Sequence, residues 1–113
     1  MYLYNCKIIK VIDGDTVDIE IDCGFNISVK ERIRLEGINA PETRTKDKKE
    51  KSKGFEAKAY LIHLLSSASD SPITIRTAKD KGKFGRWIGK LYRDDKCINY
   101  LMVETGHAEY REY

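Results

Sequence analysis

From residue 29 the chain alternates. Val29, Ile33 and Leu35 take odd positions, with Lys30, Arg32, Arg34 and Glu36 between them, the two-residue period of a strand that buries one face. Gly37 and Pro41 break the pattern. Pro41 has no backbone donor and biases Ala40 toward an extended conformation, so Asn39, the Ala40 carbonyl and Glu42 lie on a stiff loop. A cleaner alternation precedes it: Val17, Ile19 and Ile21 interleave with Asp18, Glu20 and Asp22, one face for a core and one for water. Residues 3–12 carry Leu3, Ile8, Ile9, Val11 and Ile12, enough β-branched bulk for a first strand, which stops at the hairpin dipeptide Asp13-Gly14. Cys23-Gly24-Phe25-Asn26 makes the second turn, so the first three strands form a meander.

The period then changes. Across 54–67, Ala57, Leu61, Leu64 and Leu65 recur at helical spacing while Glu56, Lys58 and His63 lie off that stripe. His63 is a surface residue on this reading and has no neighbouring pattern to orient it for catalysis. A fourth strand covers 73–77, a loop 79–85, and a fifth strand 86–93, with Trp87, Ile88, Leu91 and Tyr92 as bulk and Asp94-Asp95 as its turn. The last element, 99–105, is a short helix with Asn99 as N-cap and Gly106 as stop, packing Ile98, Leu101 and Met102 inward. The order predicts a mainly β protein with helices (α+β): a five-stranded OB-fold barrel with a helix between strands three and four and a short C-terminal helix. An open α+β sandwich is the alternative. Barrels of this kind bind oligonucleotides, which leans the reading toward nucleic acid.

At 113 residues, 41% hydrophobic and 35% charged, residues 1–113 make one folded domain and not a disordered chain. No apolar run is long enough for a membrane span, and the first residues lack the blocks of a signal peptide, so a cytoplasmic or processed form is expected. Cys6, Cys23 and Cys97 lack the paired spacing of a zinc site and are expected to be reduced and mostly core. Net charge is only +3, but it is unevenly spread. Six basic residues lie between Arg44 and Lys53, and four more between Lys79 and Arg86. Two such runs, one directly after the stiff loop, favour a polyphosphate partner.

Asp15 shares its parity with Val17, Ile19 and Ile21 yet begins their strand, which places a carboxylate at the rim of the barrel. There it needs a cation or several donors, a metal or an arginine. An EF-hand reading of Asp13-x-Asp15 fails, because Val17 occupies the third ligand position and the loop lacks its central glycine and terminal glutamate. Arg34 and Arg86 are candidate phosphate clamps, since guanidinium pairs two oxygens at once. Arg86 follows Gly82-Lys83-Phe84-Gly85, a flexible approach to a ligand. Arg34 has the parity opposite to Ile33 and Leu35 and must reach a site through twist or a bulge. Ordinary turn chemistry and solvated arginines account for the same residues taken singly.

Taken together they do more. Ile12-Asp13-Gly14-Asp15-Thr16-Val17, Arg34-Leu35-Glu36-Gly37-Ile38-Asn39-Ala40-Pro41-Glu42-Thr43 and Lys83-Phe84-Gly85-Arg86 resemble, in order and spacing, the staphylococcal (micrococcal) nuclease family. The likeness runs across nearly the whole chain. It implies an OB-fold barrel and a calcium-dependent phosphodiesterase that cuts DNA and RNA, single strands preferred, leaving 3′-phosphate ends. Residue by residue, it implies Asp15 and Ala40 (through its carbonyl) as calcium ligands, Glu42 as the group that orients or deprotonates the attacking water, and Arg34 and Arg86 as transition-state donors. Lys83 and Phe84 would meet a phosphate and a nucleotide. Asn39 stands where the best-known member has a second calcium-binding aspartate, keeping an oxygen donor but losing a charge. The register of Tyr110 and Tyr113 with the family's base-stacking tyrosine stays open. A monomer is expected. Two other readings are a binding module on the same barrel without turnover, and a purely structural domain.

Overall fold

The computed structural model describes residues 2–66, 72–81 and 87–111. In chain order its elements are β1 (Tyr2–Asp13), β2 (Thr16–Asp22), β3 (Ser28–Leu35), β4 (Ile38–Asn39), α1 (Lys48–Leu65), β5 (Ile73–Lys81), β6 (Trp87–Arg93), β7 (Lys96–Cys97), α2 (Ile98–Glu104) and β8 (Glu109–Tyr110). The main sheet runs β3-β2-β1-β5-β6-β7, and β3 also pairs with β6 in parallel. That pairing closes five strands into the expected barrel and abolishes its open edges. The two-residue strands β4 and β8 form a separate pair, with Ile38 opposite Tyr110 and Asn39 opposite Glu109. No alternation announces them.

The barrel interior is what the alternation predicts: Val17, Ile19, Ile33, Leu35, Ile75 and Leu91 are fully buried. Val29 is the exception, at 41% exposure. Residues 22–30 are exposed throughout, so at this end of the β2–β3 hairpin the inward parity has no core to meet. Register shifts in β1, between Ile8 and Lys10 and between Val11 and Asp13, mark irregularities of the kind that let a strand bend around a barrel.

Helix α1 starts at Lys48 rather than at 54. The Asp47 carboxylate accepts from the Lys49 N–H at 3.0 Å and the Glu50 N–H at 3.4 Å, satisfying two of the donors a helix start leaves over. Residues 48–53 are exposed, so this first stretch carries no apolar period to betray it. Farther along, Ala57, Leu61 and Leu65 are buried and His63 is exposed, as expected. Arg93 Nη1 closes the helix by donating to the carbonyls of Leu64 (3.0 Å) and Ser66 (3.2 Å), a cation on the negative end of the helix dipole.

Asn99 is not an N-cap. Helix α2 begins one residue earlier, with Cys97 as its cap, and Asn99 is 3% exposed. Its Oδ1 accepts from the Leu91 N–H at 3.1 Å, and its Nδ2 donates to the carbonyls of Glu36 (2.9 Å) and Gly89 (3.1 Å). One amide therefore ties α2 to both strands of the barrel's closing seam. The cysteines are all reduced, but only Cys6 is core; Cys97 is half-buried and Cys23 lies in the exposed turn. Burial pushes the Cys6 thiol up to about 11. Among the described residues no helix is long and apolar enough to cross a membrane.

Candidate active site

The β1–β2 turn delivers Asp15 to the barrel rim at 6% exposure. Its Oδ2 lies 2.9 Å from Arg34 Nη1 and accepts the Ala40 N–H at 2.8 Å, while its Oδ1 accepts the Thr16 hydroxyl at 2.9 Å. The requirement read from the sequence, a cation or several donors around a buried carboxylate, is met by both. Arg34 is no solvated surface arginine. Its side chain is 12% exposed, and Nη2 donates to Asn39 Oδ1 at 3.1 Å. Across the ladder it pairs with Thr16, the neighbour of Asp15, so its outward parity carries it over the strand end to the aspartate.

The loop carrying Asn39, Ala40 and Glu42 is fixed at both ends. At its start Asn39 belongs to β4 and the Ala40 amide is held by Asp15. Past Glu42, Thr43 donates to Asp13 Oδ1 through its hydroxyl at 2.7 Å and its N–H at 3.3 Å. Asp13 is therefore more than a turn residue: the two aspartates of one turn grip the two ends of one loop. Helix α1 backs both. A β-carbon on Gly14 would stand 2.7 Å from Ala57 Cβ and 2.9 Å from Ala40 Cβ, so turn, loop and helix meet only because these residues are small. Gly54 does the same against the Glu42–Thr43 backbone. The packing roles of Gly14 and Gly54 and the hydroxyl bonds of Thr16 and Thr43 were not legible in the sequence. The one available signal was Gly54-x-x-Ala57, two small residues on one face near the head of a helix.

Asp15, Arg34, Asn39 and Ala40 thus form one bonded cluster, and Glu42 stands exposed on the same loop. Lys83, Phe84, Arg86 and Tyr113 lie outside the described residues. From the first basic run, Lys49 and Lys53 border a cleft of 540 Å³ together with Asn39, Pro41 and His107, but Glu50, Glu56 and Glu109 line it too. This rim is mixed in charge. Among the described residues no group of three or more His, Cys, Asp or Glu side chains converges on a metal position. An ion held here would take one carboxylate, one amide oxygen, main-chain carbonyl and water, and such an all-oxygen donor set fits a hard cation such as calcium.

Residues 32–113 match the family model described as staphylococcal nuclease homologue. The chain belongs to the staphylococcal nuclease family. It is 29% identical over 104 residues to a thermonuclease of Staphylococcus intermedius, covering 92% of this chain and 58% of that protein. To an uncharacterized endonuclease of Haemophilus influenzae it is 29% identical over 111 residues, 96% of this chain and 54% of the relative. A protein of Oryza sativa subsp. japonica described as a probable staphylococcal-like nuclease shares 32% over 79 residues, 70% of this chain and 19% of its own length. The chain thus spans between about a fifth and three fifths of the length of these relatives. The family match begins within β3 and takes in Arg34, Asn39, Ala40 and Glu42; Asp15 lies ahead of it.

Proposed function

We propose that this chain hydrolyses phosphodiester bonds of DNA and RNA in a calcium-dependent reaction, acting as a monomer, preferring single strands and leaving 3′-phosphate products. The observation that supports it is the cluster itself: a buried carboxylate, a guanidinium, an amide and a pinned loop with a free-standing glutamate, gathered at a barrel rim in a nuclease family. Asp15, Asn39 and the Ala40 carbonyl would hold the ion, which when bound supplies positive charge to the phosphate oxygens. Glu42 aims the attacking water and takes its proton. Arg34 and Arg86 donate to the phosphate as charge grows on it, and each removal to alanine lowers turnover by roughly a hundredfold or more. Lys83 meets a phosphate and Phe84 a base. Pure nucleic-acid binding needs cations but not the Asp15–Glu42 acidic pair, which favours hydrolysis.

A second reading, a weakened or inactive binding module, has one observation in its favour: Arg34 is engaged with Asp15 and Asn39. Digestion of end-labelled single-stranded DNA by the full chain decides between them. Cleavage with calcium, its loss in chelator, and its loss in Glu42→Gln support the nuclease. Retention of the labelled strand without cleavage supports the binding module. Neither cleavage nor retention removes both.

A further inference from the structure

Arg34 stands where a divalent ion would have to bind. One guanidinium spans Asp15 Oδ2 (2.9 Å) and Asn39 Oδ1 (3.1 Å), the two side-chain oxygens of the proposed metal site. The Ala40 N–H and the Thr16 hydroxyl take two further acceptor positions on the same carboxylate, which offers about four in all. While the planar fork holds both, Asp15 and the Asn39 oxygen each keep only one acceptor position, so an ion and the guanidinium compete for the same two groups. Two positive charges crowded onto one shielded carboxylate also repel, and arginine cannot relieve that by losing its proton. Yet in the ion-free protein something must balance Asp15, because a carboxylate at this depth is costly alone.

Building on the metal-dependent reading above, we infer that Arg34 and the divalent ion exchange on Asp15. Without the ion, Arg34 is the built-in counter-charge that faces Asp15 and ties it to Asn39 at the start of the loop. The ion, on arrival, takes over that task and turns the guanidinium out to the substrate phosphate. Arg34 is thereby both a structural ion-pair partner and a donor that becomes available only when the ion is in place.

The test uses the full chain without nucleotide. Calorimetric calcium titration of Arg34→Gln should give an affinity roughly fivefold or more above wild type, the scale of a linked-site coupling. Arg34→Lys, which keeps the charge but cannot span both oxygens, should tighten binding as well, by less. In the wild-type protein, guanidinium NMR should show Arg34 Nη groups with restricted rotation before calcium and released rotation at saturation. Tightening in Arg34→Gln alone would reduce the effect to net charge and overturn the exchange, as would equal affinities with Arg34 signals unmoved by calcium. Both outcomes leave a calcium-dependent nuclease standing. Absence of calcium binding in wild type and variants alike would remove the metal reading together with the exchange. If Arg34→Gln does not fold, the wild-type NMR measurement decides by itself.

Discussion

Gly54 of α1 and the main chain of Glu42 are in direct contact: a β-carbon on the glycine would lie 2.6 Å from the Glu42 carbonyl carbon and 3.0 Å from the Thr43 nitrogen. The helix thus sets the position of the loop carrying the proposed catalytic glutamate.

Gly54→Ala should therefore move Glu42 without emptying the core. Overpacking of this kind costs about 1–3 kcal/mol, and a displaced base should lower kcat by roughly tenfold or more. Urea denaturation beside steady-state kinetics checks both. A stable variant with unchanged kcat would show that the loop tolerates the shift and that the contact only packs.

Asn99→Leu should be among the most destabilising polar substitutions. It strips the Leu91 N–H and the Glu36 carbonyl of the partners described above, inside the closing seam of the barrel. Unmade buried hydrogen bonds cost about 1–3 kcal/mol each, so a loss of several kcal/mol in urea unfolding is expected. Asn99→Asp should also fail, because a carboxylate cannot donate to the Glu36 and Gly89 carbonyls.

Asn39→Asp should tighten calcium and lower the concentration needed for half-maximal cleavage. The added charge also strengthens the hold of Arg34, but a divalent ion gains twice what a monovalent guanidinium does at equal distance. The maximal rate need not follow, since only interactions stronger in the transition state raise it. Titration calorimetry with and without a nucleotide analogue measures this. Unchanged affinity in both would mean that residue 39 does not face the ion.

The cysteines separate by burial. Iodoacetamide at pH 8 should label exposed Cys23 quickly and Cys6 only on unfolding, as read by peptide mass spectrometry. The folded Cys6 thiol titrates at about 11, above its ordinary 9.0. Its contribution to stability is therefore fully present below pH 9 and is lost as pH rises through about 11. The stability difference between wild type and Cys6→Ala should shrink over that window; a difference that stays flat would mean that the thiol is not held neutral by the fold.

The alternations at Val17–Ile21 and Ile33–Leu35, the turn at Asp13-Gly14 and the stripe from Ala57 to Leu65 needed nothing beyond the sequence. Each reports a local period against a core, and local periods survive in a linear string. The same holds for the demand of Asp15 for compensation, because parity alone put a carboxylate at the edge of a buried face. What the sequence could not decide is who answers that demand. Arg34 and Asp15 are 19 residues apart, and which donor wins depends on the register of β2 against β3. The start of α1 at Lys48, the seam amide of Asn99, and the contacts of Gly14 and Gly54 are decided the same way, in three dimensions. They rest on exposed or small residues, which leave no hydrophobic period, and on hydrogen bonds between segments that only barrel closure brings within 3 Å or so.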